Sequence, residues 1–276
     1  MGQVLLCVGQ YAKNPYRFEQ LGISIYSIEE LCYFLYENSH LLDESIIDKE
    51  LMEWIQEECE LPTLAKDLQN TKYFASGLYR FLKKVFEYTG FYDEQVLSQV
   101  GDILQKNSKS SIYEKRIAQL EFMLQRKQYP LAISGYEKLL LKSNELSKEE
   151  LGIIYHNYGV CKARIFRYKR AADAFYKAYE IKGSIESYEM YLSAKRIELE
   201  ESRYLKLIGQ EDNMHEHSLA VEGRLEEINQ KWKVGDKFFQ LDSMKAQIDD
   251  EENQYQEKIE EEIKIIKKNY LLLTQI

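Results

Sequence analysis

The chain has 276 residues, 45% hydrophobic and 13% aromatic, which is ample material for one large domain or two modest ones. Only three prolines and thirteen glycines occur, a low usage that favours long helices. The net charge of −9 divides unevenly, with a net of −9 in residues 1–70, +7 in residues 71–210 and −7 in residues 211–276. These acidic flanks argue against a nucleic-acid-binding protein, which normally carries an overall basic domain.

In chain order, residues 4–8 and 23–26 each suit a short strand, with the turn-prone Lys13-Asn14-Pro15 between them. The apolar run 4–8 has no preceding Lys or Arg and is too short for a signal-peptide core. Leu6 stands where a myristoylation signal wants Ser or Thr, and no segment is apolar and long enough to span a membrane. A cytoplasmic protein is expected. Ser27 and Glu30 have capping-box spacing for a helix over 28–38 that is apolar nearly all round, the mark of burial on more than one side. Asp48 caps a second helix carrying Leu51, Trp54 and Ile55, and Pro62 suits the first turn of a third. The opening Ile25-Tyr26-Ser27-Ile28-Glu29-Glu30-Leu31-Cys32 resembles that of uncharacterised Firmicute proteins, a bacterial resemblance that implies no function.

Residues 71–110 read as two helices, 72–88 and 93–106, separated by the stop signal Thr89-Gly90, and are expected to cap a helical stack. The polar run 106–111 is the expected soft joint.

Residues 151–183 carry the most specific pattern. Tyr155, Tyr158-Gly159 and Ala171-x3-Phe175 with Ala178 match the W-x2-L-G-x2-Y … A-x3-F scheme, with Lys162 in place of an aromatic and Gly183 in place of a proline. Gly159, Ala171 and Ala178 let two helices approach closely, while Tyr155, Tyr158, Phe175 and Tyr179 fill the space between them. Lys162, Arg167, Lys169, Arg170, Asp173 and Lys177 fall at the polar positions. A weaker copy lies 39 residues upstream, with Ala132-x3-Tyr136 for Ala171-x3-Phe175, Tyr129 for Tyr168, and a first helix over 113–126. Residues 187–208 suit a third, degenerate pair or a capping helix. On these residues the chain resembles tetratricopeptide repeat proteins. The resemblance implies an all-α fold of helical hairpins stacked as an α-solenoid, with a small, mostly helical N-terminal section and a long amphipathic C-terminal helix. The expected divisions are 1–70, 71–110, 111–210 and 211–276.

Past residue 211 a helix over 216–233 presents Leu219, Leu225, Ile228 and Trp232 as a stripe. After Gly235, Asp236 is placed to cap a final helix with Tyr255, Ile259, Ile263, Ile266 and Tyr270 on one face. That seam is not a sustained heptad. Its helix is expected either to pack along the repeats or to pair with another chain.

No catalytic constellation, cofactor motif or metal site emerges. Cys7, Cys32, Cys59 and Cys161 show no CxxC spacing, and Cys32 and Cys161 read as small buried hydrophobes. His215 and His217, two apart on a helix, cannot share a metal, and the acidic run 249–252 lacks the glycine of a calcium loop. The strongest charge feature is Lys162, Arg164, Arg167, Lys169 and Arg170, five cations with no acid between them. With Lys195 and Arg196 they suit a cationic rim for an acidic peptide. The partner-contacting set is His156, Asn157, Arg164, Arg167, Lys195 and Arg196. The carboxylate clamp of some tetratricopeptide proteins is matched only at Asn157, since Ile117 and Glu121 stand at its first Lys and Asn. The expected function is a non-enzymatic adaptor or scaffold for acidic or amphipathic protein segments, with possible self-association through the last helix. A nucleic-acid-associated or peptide-sensing regulator, and an enzyme with its site in residues 1–70, are the alternatives.

Overall fold

The computed structural model describes residues 8–73, 76–210, 212–236, 238–239 and 252–274. The expected strand over 4–8 and the acidic run at 249–252 fall almost wholly outside these residues. The chain forms two compact units, Met1–Phe122 and Met123–Ile276, and among the described residues is all-α apart from one pair of three-residue strands.

In the first unit, β1 (Tyr16–Phe18) pairs antiparallel with β2 (Ile23–Ile25), Phe18 opposite Ile23. Gly22, at φ +64, turns the chain between them. The partner of β2 is therefore Tyr16–Phe18, and Lys13-Asn14-Pro15 leads into β1 rather than joining two strands. Glu58 fixes that lead by accepting the Lys13 and Asn14 backbone N–H groups at 3.1 Å each, while the Trp54 indole donates to the Asn14 carbonyl at 2.8 Å.

Helix α1 (Ile28–Glu37) starts as expected, the Ser27 hydroxyl accepting from the Glu30 N–H. The Glu30 carboxylate reaches one residue further back, to the Tyr26 N–H at 2.7 Å. Ile28, Leu31, Cys32, Phe34 and Leu35 are all buried, with Phe34 stacked on Phe18 at 3.9 Å between ring centroids. Asp48 caps α2 (Lys49–Glu57) through the Leu51 N–H and also accepts from the Tyr16 hydroxyl. Pro62 opens α3 (Pro62–Gln69).

Helix α4 (Gly77–Thr89) begins later than expected, after a 3-10 turn at Asn70–Tyr73, and ends at Gly90 with φ +67. Asp93 caps α5 (Glu94–Asn107). Phe81, Leu82, Val85, Phe86, Leu97 and Val100 share one core with α1 and α2. Residues 71–110 thus contribute to the N-terminal core. Helix α6 (Ile112–Gln125) crosses the division between the units.

The described residues of the second unit form helices: α7 (Tyr129–Leu140), α8 (Lys148–Arg164), α9 (Tyr168–Lys182), α10 (Ile185–Glu198), α11 (Glu201–Ile208), α12 (Asp212–Lys233) and α13 (Glu252–Thr274). Ser147 and Glu150 form a complete capping box at the start of α8. A Cβ built on Gly159 would lie 2.8 Å from the Phe175 ring, so the glycine is what allows α8 and α9 their close approach. Ala171, Ala172, Ala174 and Ala178 of α9 are buried. Tyrosines continue the packing onto α10, with Tyr179 against Tyr188 at 4.6 Å and Tyr176 against Tyr191 at 5.1 Å.

The 39-residue recurrence extends to the backbone. Lys127 and Phe166 both adopt the left-handed conformation, at φ +61 and +63. Each turn is closed by equivalent bonds: Lys127 N–H to Leu124 O and Gln128 N–H to Met123 O in one, Phe166 N–H to Ala163 O and Arg167 N–H to Lys162 O in the other. The two turns thus share one hydrogen-bond pattern at the 39-residue offset. Residues 187–208 fall in two helices, α10 and α11.

Two expectations change in this unit. Lys162 is buried, not solvated. In α12, Leu219, Ile228 and Trp232 are exposed, whereas Met214, Ser218 and Val221 are buried and Leu225 is half-buried, so the inward face is rotated from the expected stripe. The proposed cap at Asp236 bears on residues 237 and 240–251, which lie outside the described residues.

Candidate functional site

The five-cation run splits into a buried and an exposed part. Lys162, on the last turn of α8, inserts between α7 and α8, 3.1 Å from Glu137, whose other bond is donated by the Tyr158 hydroxyl at 2.9 Å. The Lys162 ammonium also lies over the Tyr158 ring, 4.8 Å from its centroid. Burial works to raise the Glu137 pKa, but the hydrogen bonds from Tyr158 and Lys162 prevail and hold it below the usual carboxylate value. Burial and the bond to Glu137 together push Tyr158 up to about 12. This trio fastens α7 to α8. It was invisible in the sequence because Glu137 and Lys162 lie on different helices, 25 residues apart.

The exposed part is the α8–α9 turn. Arg164, Arg167, Lys169 and Arg170 are exposed, and Phe166 among them is 57% exposed. Among the described residues, Arg164, Arg167 and Lys169 make no ion pair. The Phe166 ring lies 5.9 Å from that of Tyr270 on α13. A groove of about 590 Å³ runs there, lined by Phe166, Ile266, Lys267, Tyr270, Leu271 and Leu273. Phe166 was not among the expected contact residues; its place in a turn beside four cations was the available signal.

The other expected residues sit differently. His156 is half-buried, its Nδ1 2.9 Å from the Ser187 hydroxyl of α10 and its ring edge-on to Phe175. Desolvation lowers its pKa and outweighs the pull of Glu186, so the ring is neutral near pH 7. Asn157 is half-buried on the same helix. Lys195 is paired with Glu198 at 2.8 Å, and Arg196 with Glu222 of α12 at 2.6 Å. A reverse pair joins Arg224 of α12 to Glu189 of α10 at 2.6 Å. The six residues therefore form no single open rim: Arg164 and Arg167 are available, while Lys195 and Arg196 already hold carboxylates.

In the first unit, a groove of about 910 Å³ is lined by Leu42, Ser45, Tyr79, Leu104, Ile112 and Lys115 among others, with no nucleophile–base pair among its lining residues. Burial pushes the Cys32 thiol up to about 11. It does the same to Cys59, with added repulsion from Glu29 and Glu58, up to about 12. Cys161, in the second unit, is likewise pushed up to about 12 by burial. Such thiols are poor nucleophiles. Among the described residues no three His, Cys, Asp or Glu side chains gather as metal ligands, and no helix is long and apolar enough to cross a membrane.

No protein-family model, curated protein or solved structure matches the chain.

Proposed function

We propose that this chain is a non-enzymatic adaptor whose repeats, of the tetratricopeptide-like kind, hold an acidic helical segment of a protein partner. The observation carrying the reading is the Arg196–Glu222 pair, in which α10 accepts a carboxylate from an acidic amphipathic helix laid against it. The repeat region thus already grips one segment of this chemistry within its own chain. Arg164 and Arg167, which make no ion pair among the described residues and lie beside the exposed Phe166, offer charge-assisted hydrogen bonds and apolar contact to a second. The 39-residue recurrence of the hairpin turns supports the solenoid register. The high-pKa buried thiols weigh against an enzyme in residues 1–70. A cytoplasmic setting without cofactors belongs to the same proposal.

Met214 and Val221 of α12 are part of the core, so point variants test the proposal more cleanly than truncation of residues 211–276. The informative variants are Arg164→Glu combined with Arg167→Glu, and separately Glu222→Gln. Fluorescence anisotropy with a labelled, glutamate-rich amphipathic peptide should show affinity falling about tenfold in the first and rising in the second. Peptide binding indifferent to both would refute the proposal. Salt-sensitive binding of duplex DNA or RNA, lost in the arginine variant, would transfer the site to a nucleic-acid regulator.

A further inference from the structure

Helix α13 carries the elements of its own complement. Ile259, Ile263, Ile266, Tyr270 and Leu273 follow one another at alternating steps of four and three, the spacing that keeps one stripe facing a partner helix. Ile263, Ile266 and Tyr270 are 42%, 63% and 41% exposed, so the seam is not used up within the chain. Charge along the same helix is polarised. Glu260, Glu261 and Glu262 precede Lys264, Lys267 and Lys268, and residues 263–276 contain no acid. The ring contact between Phe166 and Tyr270 sets the acid-free turn of Arg164, Arg167 and Lys169 beside the lysine half.

We propose that α13 pairs antiparallel with α13 of a second copy of this chain. Layering Ile263 on Ile266 and Ile259 on Tyr270 satisfies the seam in both copies at once. That register places Glu260 of one copy beside Lys267 of the other, twice by symmetry, because antiparallel pairs bring like flanking positions together. The glutamate half of each helix then also faces the arginine-bearing turn of the other copy. A membrane surface fits less well, since Glu260 to Glu262 on the same helix would be pressed against lipid phosphates. An unrelated acidic peptide would complement only the lysine half. Two heptads of seam make a weak dimer whose population depends on concentration and on salt.

The test is sedimentation velocity on the full chain, up to about 1 mM, where even weak association is populated. The wild type should dimerise, and Ile266→Asp should abolish the dimer. Glu260→Lys alone and Lys267→Glu alone should each weaken it about tenfold by turning attraction into repulsion, and the two together should restore it. These positions are exposed, and unchanged circular dichroism would show that folding is intact. A monomer throughout, a dimer indifferent to Ile266→Asp, or a double variant no better than the singles would each overturn the proposal. A monomer that co-sediments with anionic vesicles would assign the helix to a lipid surface instead.

Discussion

Replacing Gly159 by alanine adds a methyl group whose ideal position lies 2.8 Å from two ring carbons of Phe175. Real side chains do not approach this closely, and the Phe175 ring is 2% exposed inside the α8–α9 interface, so it has little room to retreat. Overpacking of this kind costs about 1–3 kcal/mol. Alanine also gains roughly 1 kcal/mol over glycine in a helix interior, leaving a net loss of about 0–2 kcal/mol. Gly152, on the same helix, is the control. Its added methyl would lie 2.2 Å from a side-chain carbon of Lys182, but Lys182 is exposed and can swing aside, so Gly152→Ala should stabilise by up to about 1 kcal/mol. Urea unfolding followed by circular dichroism should therefore move the second unit's transition in opposite directions for the two variants. A Gly159→Ala protein at least as stable as Gly152→Ala would refute the claim that the glycine sets the helix separation.

Three further outcomes follow from the geometry. Glu137 has a lowered folded pKa, so its contribution is present above the ordinary carboxylate value of 4.5 and is lost as pH falls through the folded value. Glu137→Gln should flatten that part of the acid dependence of the urea midpoint and lower the midpoint at pH 7. Lys127, exposed at φ +61, should gain up to about 1 kcal/mol on replacement by glycine, which adopts that conformation without strain; an unchanged midpoint would count against the repeated-turn geometry. His156 should titrate below 6.5 by NMR, and because the folded state favours the neutral ring, its protonation should weaken folding as pH drops through that range; a pKa above 6.5 would contradict its burial.

Much of the fold was legible because it is written in local signals. Ser27, Asp48, Pro62, Asp93 and Gly90 mark helix ends through backbone bonds made within a few residues. The α8–α9 hairpin was legible because Gly159 and Ala171-x3-Phe175 encode a distance of closest approach. What escaped depends on non-local partners. The strand partner of β2 is fixed by Glu58 and Trp54, some 40 residues from Asn14. Lys162 reads as a surface residue until Glu137 is placed beside it. The site was legible as a concentration of cations, but which of them stay available depends on where Glu198 and Glu222 lie.

The buried thiols give the molecule its own reporters. Cys32 and Cys59 belong to the first unit and Cys161 to the second, and none can react without first reaching water as a thiolate. In a Cys7→Ser background, alkylation under native conditions then times the opening of each unit separately, without any introduced label. If the units breathe independently, the Cys161 rate will respond to Glu137→Gln while the Cys32 and Cys59 rates stay fixed. If opening is shared, all three will quicken together.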